Sequence, residues 1–217
     1  MRPSRLMERS APGGRIAGAN LSIWREGRIP WRQGDRDYNG VFLGWNRAAG
    51  APSAEYTITL PDGAAAKWQL TPGSTVELSV AALDEDAPLP GEKTGKKKDE
   101  EEDKKSDKSK KKERESPDFT IELVTTDGAI AAAPVSRFAA IPPPLKEKLA
   151  KLEIINREGY EKDWEPVFQT VRAPLAEFQT SGGARRFDPR KLSVVRLKFD
   201  KTPMSVICIS GIGIGKH

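Results

Sequence analysis

The chain has 217 residues, enough for one large domain or two small ones at roughly 150 residues per domain. Hydrophobic residues make up 37 % of the sequence and charged residues 31 %, and the formal net charge is +5. The charge is concentrated in residues 91–116, which hold eleven Lys or Arg against nine Asp or Glu and no large apolar side chain. Outside that run the composition is that of a globular protein that can bury a core.

The positive net charge does not indicate a nucleic-acid partner. A phosphate-binding segment needs unopposed cations, and the acidic run Asp99–Asp103 neutralises the lysines beside it. Cys208 is the only cysteine, so neither an intrachain disulfide nor a multi-cysteine zinc site is available. We therefore predict no nucleic-acid partner and no cofactor. The presence of a structural calcium ion, and of any other metal, is left open.

The first residues do not look like a targeting segment. Residues 1–18 are polar, contain Pro and Gly, and are predicted to be a disordered or linker N-terminus. They have no apolar run of the kind that signal peptides need, and no stretch of the chain approaches the roughly 20 apolar residues of a membrane span. We expect a cytoplasmic chain if Met1 is the true start, and the compartment is otherwise unknown.

Residues 19–217 are predicted to form a single β-sandwich domain. Val41–Trp45 is a short apolar run between turn residues, which is typical of a buried strand. Val206–Ile209 is apolar on both faces and should be central to a sheet. Alternating or short apolar runs predict further strands at Leu21–Trp24, Glu55–Leu60, Val76–Val80, Phe119–Leu123, Ile130–Ala133, Val135–Ile141, Val167–Leu175 and Val195–Phe199. Residues 145–154 fit either a short helix or an entering strand.

A charged insert interrupts this pattern at about residues 86–117. Because it has no apolar periodicity, it cannot offset the entropy cost of ordering, so it is predicted to be disordered, with a helix of Glu/Lys pairs as the alternative for part of it. Val76–Val80 and Phe119–Leu123 flank it as matched amphipathic strands. We therefore expect the two strands to form a hairpin whose loop has been lengthened, because a longer surface loop costs little closure entropy.

The last third of the chain carries a family resemblance. Val167–Leu175 reads as a strand that ends in a Pro-Leu-x-x-Phe corner at Phe178, and Phe187–Leu192 contains an Asp-Pro turn. With the two strands at Val195–Asp200 and Val206–Ile209, this part resembles the closing strands of galactose-binding-like jelly rolls, which include many carbohydrate-binding modules. The resemblance implies an all-β fold, a jelly-roll β-sandwich interrupted by the long disordered charged loop. Where the family commonly has acidic residues after the last strand, this chain has Ser210-Gly211-Ile212.

A second, looser resemblance covers the earlier part. The segments Leu21–Glu26, Val41–Asn46 and Tyr56–Pro61 are similar to C-terminal accessory regions of some large bacterial α/β-hydrolases. This resemblance implies a non-catalytic module beside an esterase-like catalytic domain.

The sequence indicates that the chain is not an enzyme. His217, the last residue of the sequence, is the only histidine, and no Gly-x-Ser-x-Gly motif occurs, so a Ser-His-Asp triad cannot be assembled. Cys208 lies in the most apolar strand, which predicts a buried, inert thiol. A glycosidase pair of carboxylates stays open, because its members need only be close in space. Gly211–Gly215 lacks the lysine and the helix of a phosphate loop, and is predicted to be a strand that frays into the terminus.

The candidate binding residues are aromatic and planar polar side chains in one short region. A flat ring that packs on a pyranose, beside polar groups that bind vicinal hydroxyls, is the mixture that sugar recognition needs. Trp45 follows a buried strand and is interpreted as core, and Trp68 and Trp164 as packing or edge residues. The predicted ligand-binding residues are Trp24, Trp31, Arg32, Asp35, Tyr38 and Asn39.

Two classes of function remain. The first is a non-catalytic binding or accessory module that recruits a glycan or packs against a neighbouring catalytic domain, for example that of a hydrolase. The alternative is a protein–protein interaction or structural domain with no small-molecule ligand.

Overall fold

A computed structural model describes residues 4–5, 14–17, 21–24, 41–47, 52–83, 116–146, 164–181 and 186–215. These residues form two antiparallel six-stranded sheets, which confirms the predicted all-β sandwich. The predicted disordered insert lies outside the described residues except for its last two, Ser116, which donates from Oγ to the carbonyl oxygen of Ile141, and Pro117, which is buried. Residues 147–163 also lie outside the described residues. The division into a linker and a single domain remains a prediction.

Sheet I has the strand order β11-β6-β14-β4-β3, and β1 pairs with the far part of β14. Its central strand β14 changes register against β6 between Ile209 and Gly211, at a β-bulge. On its other side β14 pairs first with β4 and then with β1. The strands are β1 (Ser4–Arg5), β3 (Leu21–Trp24), β4 (Val41–Asn46), β6 (Thr75–Ala82), β11 (Gln169–Pro174) and β14 (Met204–Gly215).

Sheet II has the strand order β12-β8-β7-β13-β5-β2. Its β7–β8 hairpin closes through a turn at Asp127-Gly128, where Gly128 takes a left-handed φ of 83° that suits glycine. The strands are β2 (Gly14–Ala17), β5 (Ala54–Thr59), β7 (Thr120–Thr125), β8 (Ile130–Pro134), β12 (Gln179–Ser181) and β13 (Leu192–Phe199).

Short elements connect the sheets. The helix α1 (Ala64–Lys67) lies on the connection from β5 to β6, and β9 (Leu145–Lys146) pairs with β10 (Trp164–Glu165) apart from both sheets. Short 3-10 helices span Val135–Arg137, Leu175–Glu177 and Pro189–Lys191.

The core lies between the sheets and uses the alternate residues of each strand. On sheet I the inward residues include Leu43, Leu78 and Ile207, and on sheet II they include Ile121 and Leu197, all essentially without solvent exposure. Each such side chain contributes about 1.5–3 kcal/mol of burial free energy. The two sheets thus share one apolar core.

Aromatic residues join the sheets at one end of this core. Trp45 of β4 stacks on Phe199 of β13 with 4.4 Å between ring centroids, and Phe119 lies 5.4 Å from Phe199. The Trp45 indole Nε1 donates to the carbonyl oxygen of Thr202 at 2.9 Å, which satisfies its polar atom. Trp45 is therefore a core residue, as predicted.

The expected hairpin around the insert is wrong. β6 pairs with β11 and β14 in sheet I, whereas β7 pairs with β8 and β13 in sheet II. Both strands bury one face, as their alternation requires, but they bury it against opposite sides of the same core. Alternation identifies the buried face of a strand and does not identify its neighbour.

Other sequence expectations also differ from the structure. Gly211–Gly215 does not fray: β14 continues to Gly215, with Ile212 and Ile214 in the core. Val135–Arg137 is a 3-10 helix and not part of a strand. Within residues 1–18, for which the linker remains a prediction, the described stretches β1 and β2 pair with β14 and β5.

Candidate functional site

Of the six residues predicted to bind a ligand, one lies in β3 and five come between β3 and β4 in the sequence. Trp24 ends β3, where its Cα lies opposite that of Phe42 at the edge of sheet I. Trp31, Arg32, Asp35, Tyr38 and Asn39 lie outside the described residues, so their role remains a prediction. Trp68 is half-buried against the core, consistent with its interpretation as a packing residue.

The outer face of sheet II places polar and aliphatic side chains in separate rows across the strands. The register of five strands aligns one row, here called the charged row: Gln179, Ala132, Glu122, Arg196 and Thr57. On one side of it lies a row of half-buried or exposed residues, here called the aliphatic row: Ile130, Val124, Val194 and Thr59. On the other side lie Pro134, Thr120, Lys198 and Glu55.

Four charged side chains of this face form one network. Arg196 donates from Nη1 to Oε2 of Glu122 at 3.0 Å, and its Nε lies 3.4 Å from Oε2 of Glu55. Lys198 donates from Nζ to the second oxygen of Glu122, Oε1, at 3.4 Å. Two cations and two carboxylates from three adjacent strands therefore balance each other, and no net charge remains in the network.

The network is sheltered although it faces away from the core. The side chain of Glu122 is only 12 % exposed and that of Arg196 is 28 % exposed. Removing charged groups from water is costly unless they are paired and hydrogen-bonded, and a sandwich needs no charges on its outer face to fold. A paired, half-buried polar network in the middle of such a face is therefore a candidate for ligand contact. Here it is called the outer-face network (Glu55, Glu122, Arg196, Lys198).

The outer face of sheet I differs. Cys208, Ala81 and Val206 lie outward on β14 and β6, and all three are buried although they are not part of the core between the sheets. Cys208 is buried, as predicted, and burial raises the pKa of its thiol to about 12. Farther along, Ser210 donates to Ser79 at 2.8 Å between hydroxyl oxygens.

A third group of charges lies in turns at the end of sheet II. The Thr125 hydroxyl and the Lys191 ammonium donate to the Asp127 carboxylate and lower its pKa to about 2. In the Asp-Pro turn, the side chain and backbone of Arg190 donate to Asp188, which lowers the pKa of that carboxyl. These carboxylates cap and close turns, so they serve the fold.

The described part of the chain offers neither a metal site nor a membrane span. No group of three or more His, Cys, Asp or Glu among the described residues is placed to hold a metal ion. No helix in the described ranges is long and apolar enough to cross a membrane.

The sequence interpretation missed the outer-face network. Its residues alternate with core residues in three separate strands: Glu55 with Tyr56, Glu122 with Ile121, and Arg196 and Lys198 with Leu197. The available signal was a charge at the outward position of each strand. Only the strand order brings those outward positions together.

Solved structures share this architecture, whereas no protein-family model and no curated protein matches the chain. A family 30 carbohydrate-binding module matches with a TM-score of 0.56 and 10 % identity, over 100 % of both chains. The family 30 module of a cellulosomal cellulase of Clostridium thermocellum matches with a TM-score of 0.54 and 10 % identity, over 100 % of this chain and 99 % of its own.

A third solved structure places the fold inside a longer enzyme. An exo-β-agarase matches with a TM-score of 0.53 and 11 % identity, over 99 % of this chain and 25 % of the agarase chain. At these identities the likeness concerns the fold alone. The chain has the jelly-roll β-sandwich of carbohydrate-binding modules, as the resemblance in its closing strands implied.

Proposed function

We propose that this chain is a non-catalytic carbohydrate-binding module whose glycan lies across the outer face of sheet II. The observation that carries the proposal is the outer-face network, a sheltered set of planar polar side chains on the solvent side of a jelly-roll sheet. Sugar sites combine such groups with an apolar surface that covers the ring. Here the aliphatic row supplies that surface beside the charged row.

The spacing of side chains along each row suits an extended polysaccharide. Neighbouring strands lie about 4.8 Å apart, close to the length of one pyranose unit. A glycan that crosses the strands therefore meets the side chains of the charged row one after another, and four of the five are polar: Gln179, Glu122, Arg196 and Thr57. The likeness to a family 30 module and to part of an agarase supports a module that works beside a catalytic domain.

A pair of bulky substitutions tests this location. Ala132→Arg adds a long side chain to the charged row next to Glu122, and Ser210→Arg adds the same side chain to an exposed position on the outer face of sheet I. In affinity electrophoresis through gels with hydroxyethylcellulose, mixed-linkage β-glucan or agarose, we expect wild type and Ser210→Arg to be retarded equally. Ala132→Arg should migrate as in a gel without polysaccharide.

Other outcomes would redirect or end the proposal. If Trp31→Ala and Tyr38→Ala remove retardation and Ala132→Arg does not, the glycan binds at the connection after β3. If none of a broad panel of polysaccharides retards the wild type, the chain is not a glycan-binding module. Release of reducing sugar by the purified chain would contradict its non-catalytic role.

The aliphatic row favours a second candidate function, a protein-docking surface. Ile130, Val124 and Val194 are adjacent β-branched residues that remain partly exposed on three neighbouring strands. Such a strip, next to charges that are already paired, can be covered by a protein without leaving an unpaired charge. If the aliphatic row is a protein-docking surface, Val124→Asp abolishes binding of a neighbouring catalytic domain, and polysaccharides do not compete with that binding.

A further inference from the structure

Arg196 occupies an unusual position within the outer-face network. Its strand, β13, lies between β5 and β7, and one carboxylate reaches it from each neighbour. Nε faces Glu55 at 3.4 Å on one side and Nη1 donates to Glu122 at 3.0 Å on the other. Since an arginine side chain otherwise samples many rotamers, the two carboxylates on opposite sides, here called the clamps, restrict the guanidinium to one orientation across the sheet.

The clamps leave part of the guanidinium unused. Arginine carries five N–H donors: Nη1 donates to Glu122, whereas Nε lies in ion-pair distance of Glu55 without a hydrogen bond to any described residue. Nη2, with two N–H groups, has no hydrogen-bond partner among the described residues. Nε is buried, and 28 % of the Arg196 side chain remains exposed.

We propose that Arg196 contacts the glycan directly through Nη2, and that Glu55 and Glu122 are positioning residues that hold its guanidinium. This assignment rests on the proposed function. Two N–H donors on one nitrogen match two neighbouring oxygen acceptors of a sugar, such as vicinal hydroxyls or a hydroxyl and the ring oxygen. Because the guanidinium is already oriented, binding does not have to order a long side chain.

Lys198 completes the arrangement from the next outward position of β13. It donates to the Glu122 oxygen that Arg196 does not use, so Glu122 is held from both sides. The four charges cancel, and the site has no net attraction for an acidic sugar. The ligand class is therefore a neutral glycan, and its affinity should change little between low and moderate salt.

Three variants and one matched control test the assignment. Arg196→Lys keeps the charge and removes the fork, whereas Glu55→Gln and Glu122→Gln keep the shape and remove one clamp each. Arg172→Lys is the control, because Arg172 forms a comparable pair on sheet I, with Nε 3.5 Å from Oε1 of Glu77. Affinity is measured by calorimetry with hydroxyethylcellulose, mixed-linkage β-glucan and agarose oligosaccharides, and the thermal midpoint is measured for each variant.

We expect Arg196→Lys to lose about 10- to 100-fold in affinity and each glutamine variant to lose less, with the control unchanged. Addition of glycan should also shift the Nε–Hε NMR signal of Arg196 in the wild type. Arg196→Lys binding as tightly as wild type would overturn the assignment while the proposed function stands. If Arg196→Lys does not fold, the NMR measurement decides. An Arg196 Nε–Hε signal that does not shift when wild type is saturated with glycan would overturn the assignment. Wild type that binds none of the three glycans overturns both proposals.

Discussion

The outer faces of the two sheets differ in polarity and in burial. On sheet I the outward residues Ala81, Val206 and Cys208 are small or apolar and buried. On sheet II the outward residues Glu122 and Arg196 are charged, paired with each other and only partly exposed. One sheet is thus apolar on both faces over part of its area, and the other has a polar face that keeps contact with solvent.

The difference teaches where a ligand can act on this fold. A buried apolar face has no free donors or acceptors, and Cys208 on it is protonated and inert. The polar face of sheet II holds oriented donors that keep some exposure, which is what recognition of a hydroxyl-rich ligand needs. We therefore propose the candidate site on sheet II. The aromatic residues singled out in the sequence are Trp24, at the end of β3, and Trp31 and Tyr38, which come between β3 and β4 in the sequence.

The largest expected effect comes from the core that both faces share. Phe199→Ala removes the ring that stacks on Trp45 across the two sheets and should lower the free energy of unfolding by about 3–5 kcal/mol. Urea denaturation followed by tryptophan fluorescence measures the loss. Lys198→Ala, at the neighbouring outward position, should cost within about 1 kcal/mol. Two separate unfolding transitions would show that the faces belong to independent units.

The reactivity of the Cys208 thiol tests whether the outer face of sheet I is buried. The pKa of Cys208, about 12, lies well above its ordinary value, so the thiol stays protonated at pH 8 and little thiolate forms. Reaction with a disulfide reagent should be on the order of a thousand-fold slower in native than in urea-unfolded protein. Stoichiometric labelling of native protein within minutes would mean that this face is open, and the contrast between the two sheets would fail.

The turn at the end of sheet II gives a pH-dependent effect. The folded pKa of Asp127, about 2, lies below the ordinary value of 3.8, so its contribution to stability is present above about pH 4 and is lost as the pH falls toward 2. Asp127→Asn should lower the thermal midpoint at pH 7, and the difference from wild type should shrink by pH 2. Asp62→Asn, in an exposed turn, is the control. A difference that does not change with pH would contradict this account.

The smallest expected effect lies on the connection between the sheets. Gln69 takes a left-handed φ of 52° just after α1, where Leu70 N donates to Ala65 O and Gln69 N to Ala66 O. Glycine suits that position of a helix end, so Gln69→Gly should raise the free energy of unfolding by about 0.5–1 kcal/mol. Gln69→Ala should bring no such gain. A loss in the glycine variant would show that the glutamine side chain stabilises the connection.

Much of the architecture could be predicted before the structure. The strands at Val41–Trp45, Glu55–Leu60 and Val206–Ile209 follow from their apolar patterns, and Val206–Ile209 lies in the central strand of sheet I as expected. The pairing of strands could not be predicted so well. β6 and β7 flank the insert in sequence, yet they lie in different sheets, because amphipathic strands can bury the same apolar face from either side of a core.

The sequence by itself determined the class of the fold, the buried positions and the inert character of Cys208. These depend on which residue types alternate, and that is local information carried by each strand. The tertiary structure alone decided that Glu55, Glu122, Arg196 and Lys198 form one network. These residues lie up to 141 positions apart in the sequence, and the order of β5, β13 and β7 in sheet II brings them together. A charge pair acts over a few ångströms in space, and no local sequence pattern encodes which distant residues come that close.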